Sequence, residues 1–179
     1  MASSAVPVSL PVPSRRRLFA SMMYESILLF GIVFLVGLIF DYATKSYHAL
    51  YLRHSRQFLI FLAIGLYFML AWRRAGQTLP MKTWYIRLET KQGTKPGYVQ
   101  LLLRYLLMWP IPLACALLVQ YLSTLTGYAS TDLLIVAAPF SIFVWSWFDR
   151  DGLFMHDRLA GTRLVDLQAR ITKQQAKTA

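Results

Sequence analysis

The chain has 179 residues, 56% of them hydrophobic and 15% charged, and a mean hydropathy of +0.44, which sets it on the membrane side of the compositional classes as one small domain. A net charge of +11 would suit nucleic acid in a soluble chain, but here the bases fall between long apolar blocks. Topology signals and contact with anionic lipid headgroups account for that placement, and no nucleic acid is expected as a partner.

Residues 1–14 read as a flexible leader, rich in Pro, Ser and Val and uncharged. Arg15, Arg16 and Arg17 then open the first apolar block, Leu18 to Phe40, whose 23 residues suffice to cross about 30 Å of hydrocarbon. The arginines resemble the start of a twin-arginine export signal. However, the block contains Glu25, exceeds a signal core in length and is followed by no small-residue cleavage site, so an uncleaved span is expected. Gly31 and Gly37 offer places for close helix approach.

The second block, Gln57 to Trp72, extends back toward Tyr51, with Arg53 and Arg56 snorkelling to the interface. In the loop before it, His48 and His54 lie too far from any carboxylate or thiol to bind metal, and no metal or cofactor is expected. From Arg73 to Gly97 the chain is basic. Trp84, Ile86 and Leu88 alternate there with Tyr85, Arg87 and Glu89 before the turn signal Lys91-Gln92-Gly93-Thr94, so a short hairpin or interfacial segment is expected.

The third block, Tyr98 to Leu122, holds Arg104 near its start, Pro110 and Pro112 near its middle, and the sole cysteine, Cys115, as a small buried hydrophobe. A membrane helix tolerates the resulting kink when its neighbours satisfy the freed carbonyls. The fourth block, Leu133 to Phe148, follows a cap at Ser130, Thr131 or Asp132 and ends in an aromatic belt of Trp145, Trp147 and Phe148. The expected fold is all-α, a polytopic membrane protein with four transmembrane helices at about 18–40, 52–72, 98–122 and 133–148. The membrane domain covers 15–166 and a polar tail covers 167–179.

With four spans, fifteen of the nineteen bases fall on one side, which the positive-inside rule makes cytoplasmic together with both termini. Glu25 then lies about 12 Å up the first helix, and Arg104 about 9 Å up a helix running the same way. Their matching depth makes an intramembrane ion pair between Glu25 and Arg104 the first candidate site. It reads either as an ion-responsive pair in a polar cavity or as a packing device. A second, cytoplasmic charged cluster joins Arg16, Arg17, His156, Asp157 and Arg158, with Asp157 accepting from Arg16 or Arg17 and His156 placed to relay protons. No nucleophile, metal set or phosphate loop accompanies these groups, so an enzyme is not expected.

Four segments together resemble the RDD family of bacterial multi-pass membrane proteins, named for an arginine and two aspartates. They are Arg15-Arg16-Arg17-Leu18-Phe19-Ala20, Gly76-Gln77-Thr78-Leu79, Leu103-Arg104-Tyr105-Leu106 and His156-Asp157-Arg158-Leu159-Ala160-Gly161-Thr162. The resemblance puts Arg17 or Arg16, Glu25 and Asp157 at the name-giving positions, with Glu25 where the family carries aspartate. Pro80-Met81-Lys82 also stands where Gly-Lys is usual. It implies an inner-membrane protein that transports ions or small solutes, including cation/proton exchange. Four spans make a thin protein, so a homo-oligomer or another membrane protein is an expected partner. A non-catalytic accessory or assembly subunit is the alternative.

Overall fold

The computed structural model describes residues 11–45, 52–127, 129–149, 152–169 and 171. The leader through residue 10, His48, Tyr51, Arg150, Asp151 and the tail from 172 lie outside the described residues, as do the side chains of Ser130 and Asp132.

Helix α1 runs over Arg15–Thr44 and α2 over Arg53–Ala75, longer at both ends than the apolar blocks, because flanking arginines and short polar residues continue the helix past the hydrocarbon. The two are antiparallel: Asp41 near the end of α1 meets Arg56 near the start of α2 at 3.2 Å, and Glu25 meets Tyr67. Arg56 is thus tied to a carboxylate on the facing helix. A short helix, α3, spans Leu79–Thr83, started by Thr78, whose hydroxyl accepts from the Met81 amide.

Helix α4, Tyr98–Leu107, begins where the Gln100 side chain accepts from the Gly97 amide at 3.0 Å. It breaks at Met108 and Trp109, and α5 resumes over Pro110–Thr126. Pro110 at the first position of a new helix needs no amide partner, so the break falls just ahead of it. A 3₁₀ segment, Ala129–Ser141, leads into α6, Ile142–Phe148, and α7 covers Met155–Ala160.

Three helical stretches, Arg15–Thr44, Arg53–Thr83 and Tyr98–Thr126, are long and apolar enough to cross a membrane, and a fourth apolar stretch, Leu133–Phe148, is shorter. Their outward faces carry large apolar side chains such as Phe30, Phe34, Leu66 and Leu117 in the open. That is the pattern of a protein embedded in a lipid bilayer.

The loop between the second and third spans forms no hairpin of its own. Strand β1, Ile86–Thr90, pairs antiparallel with β2, Thr162–Asp166, from the far end of the chain, with Leu88 opposite Leu164 and Glu89 opposite Arg163. The turn signal at Lys91-Gln92-Gly93-Thr94 is used, since Thr90 accepts from Gly93 and donates to the Thr94 carbonyl. The partner is remote because β2 is itself delivered by α7, which packs on α4. Ile86, Leu88 and Val165 are almost completely buried under the ribbon. Gly76, at φ +68°, ends α2 and accepts from the Leu88 amide at 2.8 Å; a β-carbon there would crowd the Leu88 carbonyl at 3.2 Å.

The close helix approach also sits elsewhere than expected. Gly31 and Gly37 face open space, whereas Gly65 on α2 lies against the ring of Tyr105 on α4.

Candidate functional site

The polar residues of the membrane domain gather where the ribbon, α3 and α7 close over the Arg15 end of α1. Glu25 and Arg104 both reach this region, but no ion pair joins them. The Glu25 carboxylate accepts instead from two hydroxyls, Tyr67 at 2.6 Å and Thr78 at 2.5 Å. Equal depth along two helices is a statement about their axes only, and it leaves the azimuth of each side chain undetermined.

Arg104 pairs with Asp157 on α7. Both side chains are buried, and Thr162 at the start of β2 bonds both of them, accepting from Arg104 at 3.3 Å and donating to Asp157 at 2.8 Å. The guanidinium also lies over the Trp72 ring, 4.9 Å from its centroid, so a cationic face meets an aromatic one away from water. A buried charge requires such compensation on every side.

The expected cytoplasmic cluster is divided among several partners. Asp157 faces inward to Arg104 and is not paired with Arg16 or Arg17. Arg17 bonds Asp166 of β2 and the Trp84 carbonyl, tying the first helix to both strands' ends. Arg158 is exposed and pairs with Asp149. Arg16 is exposed beside Phe19 and Trp147. His156 is buried, its ring stacked on Phe154 at 5.4 Å, with Nε2 3.8 Å from Asp157 Oδ2. Burial first, and the Arg104 charge second, hold its pKa well below the usual histidine range, so the imidazole is neutral.

Glu25, Arg104 and His156 nevertheless converge on one cavity of about 100 Å³, walled by apolar side chains including Leu18, Phe68 and Met81. Space of that size suits a few water molecules or one partly hydrated small cation. Since Asp157 neutralises Arg104, Glu25 has no basic partner among the described residues. The cavity therefore borders a carboxylate that, among the described residues, is held by hydroxyls alone.

Tyr67, Thr78, Trp72, Thr162 and Asp166 are the partners that reading the sequence missed. Three left a trace: Tyr67 is a lone phenol inside an apolar block, Thr78 follows the glycine that ends α2, and Thr162 closes the segment that begins at His156. The description "RDD family" belongs to a family model that matches residues 11–161, ending one residue before β2. No curated protein matches the chain.

Proposed function

The chain belongs to the RDD family, and we propose that it is a multi-pass inner-membrane protein exchanging small cations for protons at a polar intramembrane site centred on Glu25. The observation that carries this reading is how Glu25 is held: it is buried, borders the cavity and, among the described residues, meets the Tyr67 and Thr78 hydroxyls and no basic side chain. A carboxylate removed from water holds either a proton or a cation, so occupancy by one excludes the other. Arg104, neutralised by Asp157, leaves that competition undisturbed.

The same reading makes Leu133–Phe148 a fourth crossing. Its first part is 3₁₀, which rises faster per residue than an α-helix, so the stretch reaches about 28 Å. Both termini are then cytoplasmic, as the distribution of bases favours.

The test is flux. Purified protein in liposomes loaded with a pH-sensitive dye is expected to move protons against an imposed sodium or potassium gradient, and Glu25→Gln is expected to abolish the signal. Absence of flux from the unaltered protein, or equal flux from Glu25→Gln, overturns the proposal. Absence of flux together with co-purification of another membrane protein supports the accessory-subunit alternative instead.

A further inference from the structure

On the opposite side of α2 from Glu25's partners, beside the crossing of α2 and α4, lies a second and larger space. At the crossing, the Tyr105 hydroxyl donates to the Phe61 carbonyl at 2.6 Å and its ring covers Gly65. Along it runs a lateral groove of about 800 Å³, whose apolar walls include Leu62, Leu66 and Leu70 on α2 and Leu102 and Leu106 on α4. These leucines are all exposed.

One end of the groove is basic. Arg73 and Arg74, in the last turn of α2, border it, and no acidic residue does. Arg73 is set in place by two contacts, its guanidinium lying 4.7 Å from the centre of the Tyr98 ring and donating to the Pro96 carbonyl at 3.5 Å. Arg74 is exposed and has no carboxylate partner among the described residues. From Leu62 to Arg74 the helix advances about 18 Å. One leaflet of a bilayer core is about 15 Å deep. The groove thus offers an apolar channel of leaflet depth ending in two guanidinium groups, whose planar donors match a phosphate.

We propose that this groove seats an acyl chain of an anionic phospholipid, with the lipid phosphate held by Arg73 and Arg74. Charge complementarity selects the headgroup. A zwitterionic lipid such as phosphatidylcholine would bring a cationic ammonium next to two arginines with no acid to receive it, whereas a phosphatidylglycerol brings a net negative charge alone. The site is separate from the Glu25 cavity and does not depend on what that cavity does.

Native mass spectrometry of the delipidated protein in neutral detergent tests this, titrated with phosphatidylglycerol or phosphatidylcholine of identical chains. Retention of phosphatidylglycerol at concentrations where phosphatidylcholine leaves no adduct is expected. Arg73→Ala with Arg74→Ala should weaken the first equivalent at least tenfold. Leu66→Trp with Leu102→Trp, which fills the groove and leaves the charge unchanged, should weaken it as well. Equal retention of both lipids, or unaltered binding to the double alanine variant, overturns the proposal. If the alanine variant does not fold, the tryptophan variant decides: undiminished binding there overturns the proposal, and weakened binding supports it.

Discussion

Arg104 on α4 and Asp157 on α7 form an ion pair with both side chains buried, and Thr162 is bonded to both. The pair joins the third span to the segment that follows the fourth apolar stretch. Removing one member leaves the other charged, buried and unpaired, at a cost of about 3–5 kcal/mol. Arg104→Ala or Asp157→Ala is therefore expected to abolish monodisperse protein in detergent, and Arg104→Met with Asp157→Leu to restore most of it. Measurement of thermal unfolding by intrinsic fluorescence checks this, and a double variant no more stable than the singles would falsify it.

The hydroxyls on Glu25 set a finer prediction. Thr78 donates to the carboxylate and also accepts from the Met81 amide that starts α3. Thr78→Ser keeps both bonds, whereas Thr78→Val loses both and leaves a buried acceptor short of a donor, which costs about 1–3 kcal/mol. The valine variant is expected to unfold at lower temperature than the serine variant, with Tyr67→Phe between them because only one bond is lost.

The ribbon gives a covalent test of topology. Glu89 stands opposite Arg163, so Glu89→Cys with Arg163→Cys, in a chain whose single cysteine is replaced by Cys115→Ala, is expected to cross-link on mild oxidation. A local hairpin would instead bring Glu89 near Lys95. Cross-linking of Glu89→Cys with Lys95→Cys in preference would refute the β1–β2 pairing.

Legibility in the sequence followed the range of each interaction. The three long helical stretches were plain because each is dominated by a long apolar block, and the break before Pro110 follows from the chemistry of one residue. The strand character of Ile86–Thr90 was also visible as alternation. Its partner was not, because Thr162–Asp166 is five residues long, buried at Leu164 and Val165 together, and separated from β1 by the third long helical stretch and the shorter apolar one after it. The same distance hid the partner of Arg104. Glu25 and Arg104 line one cavity without pairing, because Asp157, in a segment expected to sit at the surface with Arg16 and Arg17, is folded inward by α7 and takes Arg104.

Gly65 offers a prediction with internal controls. A β-carbon there would lie 2.9 Å from the Tyr105 ring, and that ring is tethered through its hydroxyl to Phe61. Gly65→Ala therefore requires α2 and α4 to shift, at about 1–3 kcal/mol. Gly31→Ala and Gly37→Ala meet nothing within 4 Å, so alanine's helix preference, worth up to about 1 kcal/mol, acts unopposed. The expected order of melting temperature puts Gly65→Ala below the unaltered protein and both controls at or above it; a Gly65→Ala variant as stable as the controls would contradict the close contact.

His156 makes the fold sensitive to pH. Burial and the Arg104 charge hold its folded pKa well below the ordinary value of 6.5, while the unfolded chain titrates near that value. Above it, neither state binds the proton and stability is at its full level. As pH falls below it, the unfolded state takes up a proton that the folded state refuses, so stability declines by up to about 1.4 kcal/mol per pH unit until the folded pKa is reached. Between pH 7.5 and 5.5 the melting temperature of the solubilised protein is expected to drop. His156→Phe removes the titrating group and preserves a flat ring against Phe154. A variant that keeps the same pH slope over this interval assigns the sensitivity to another group.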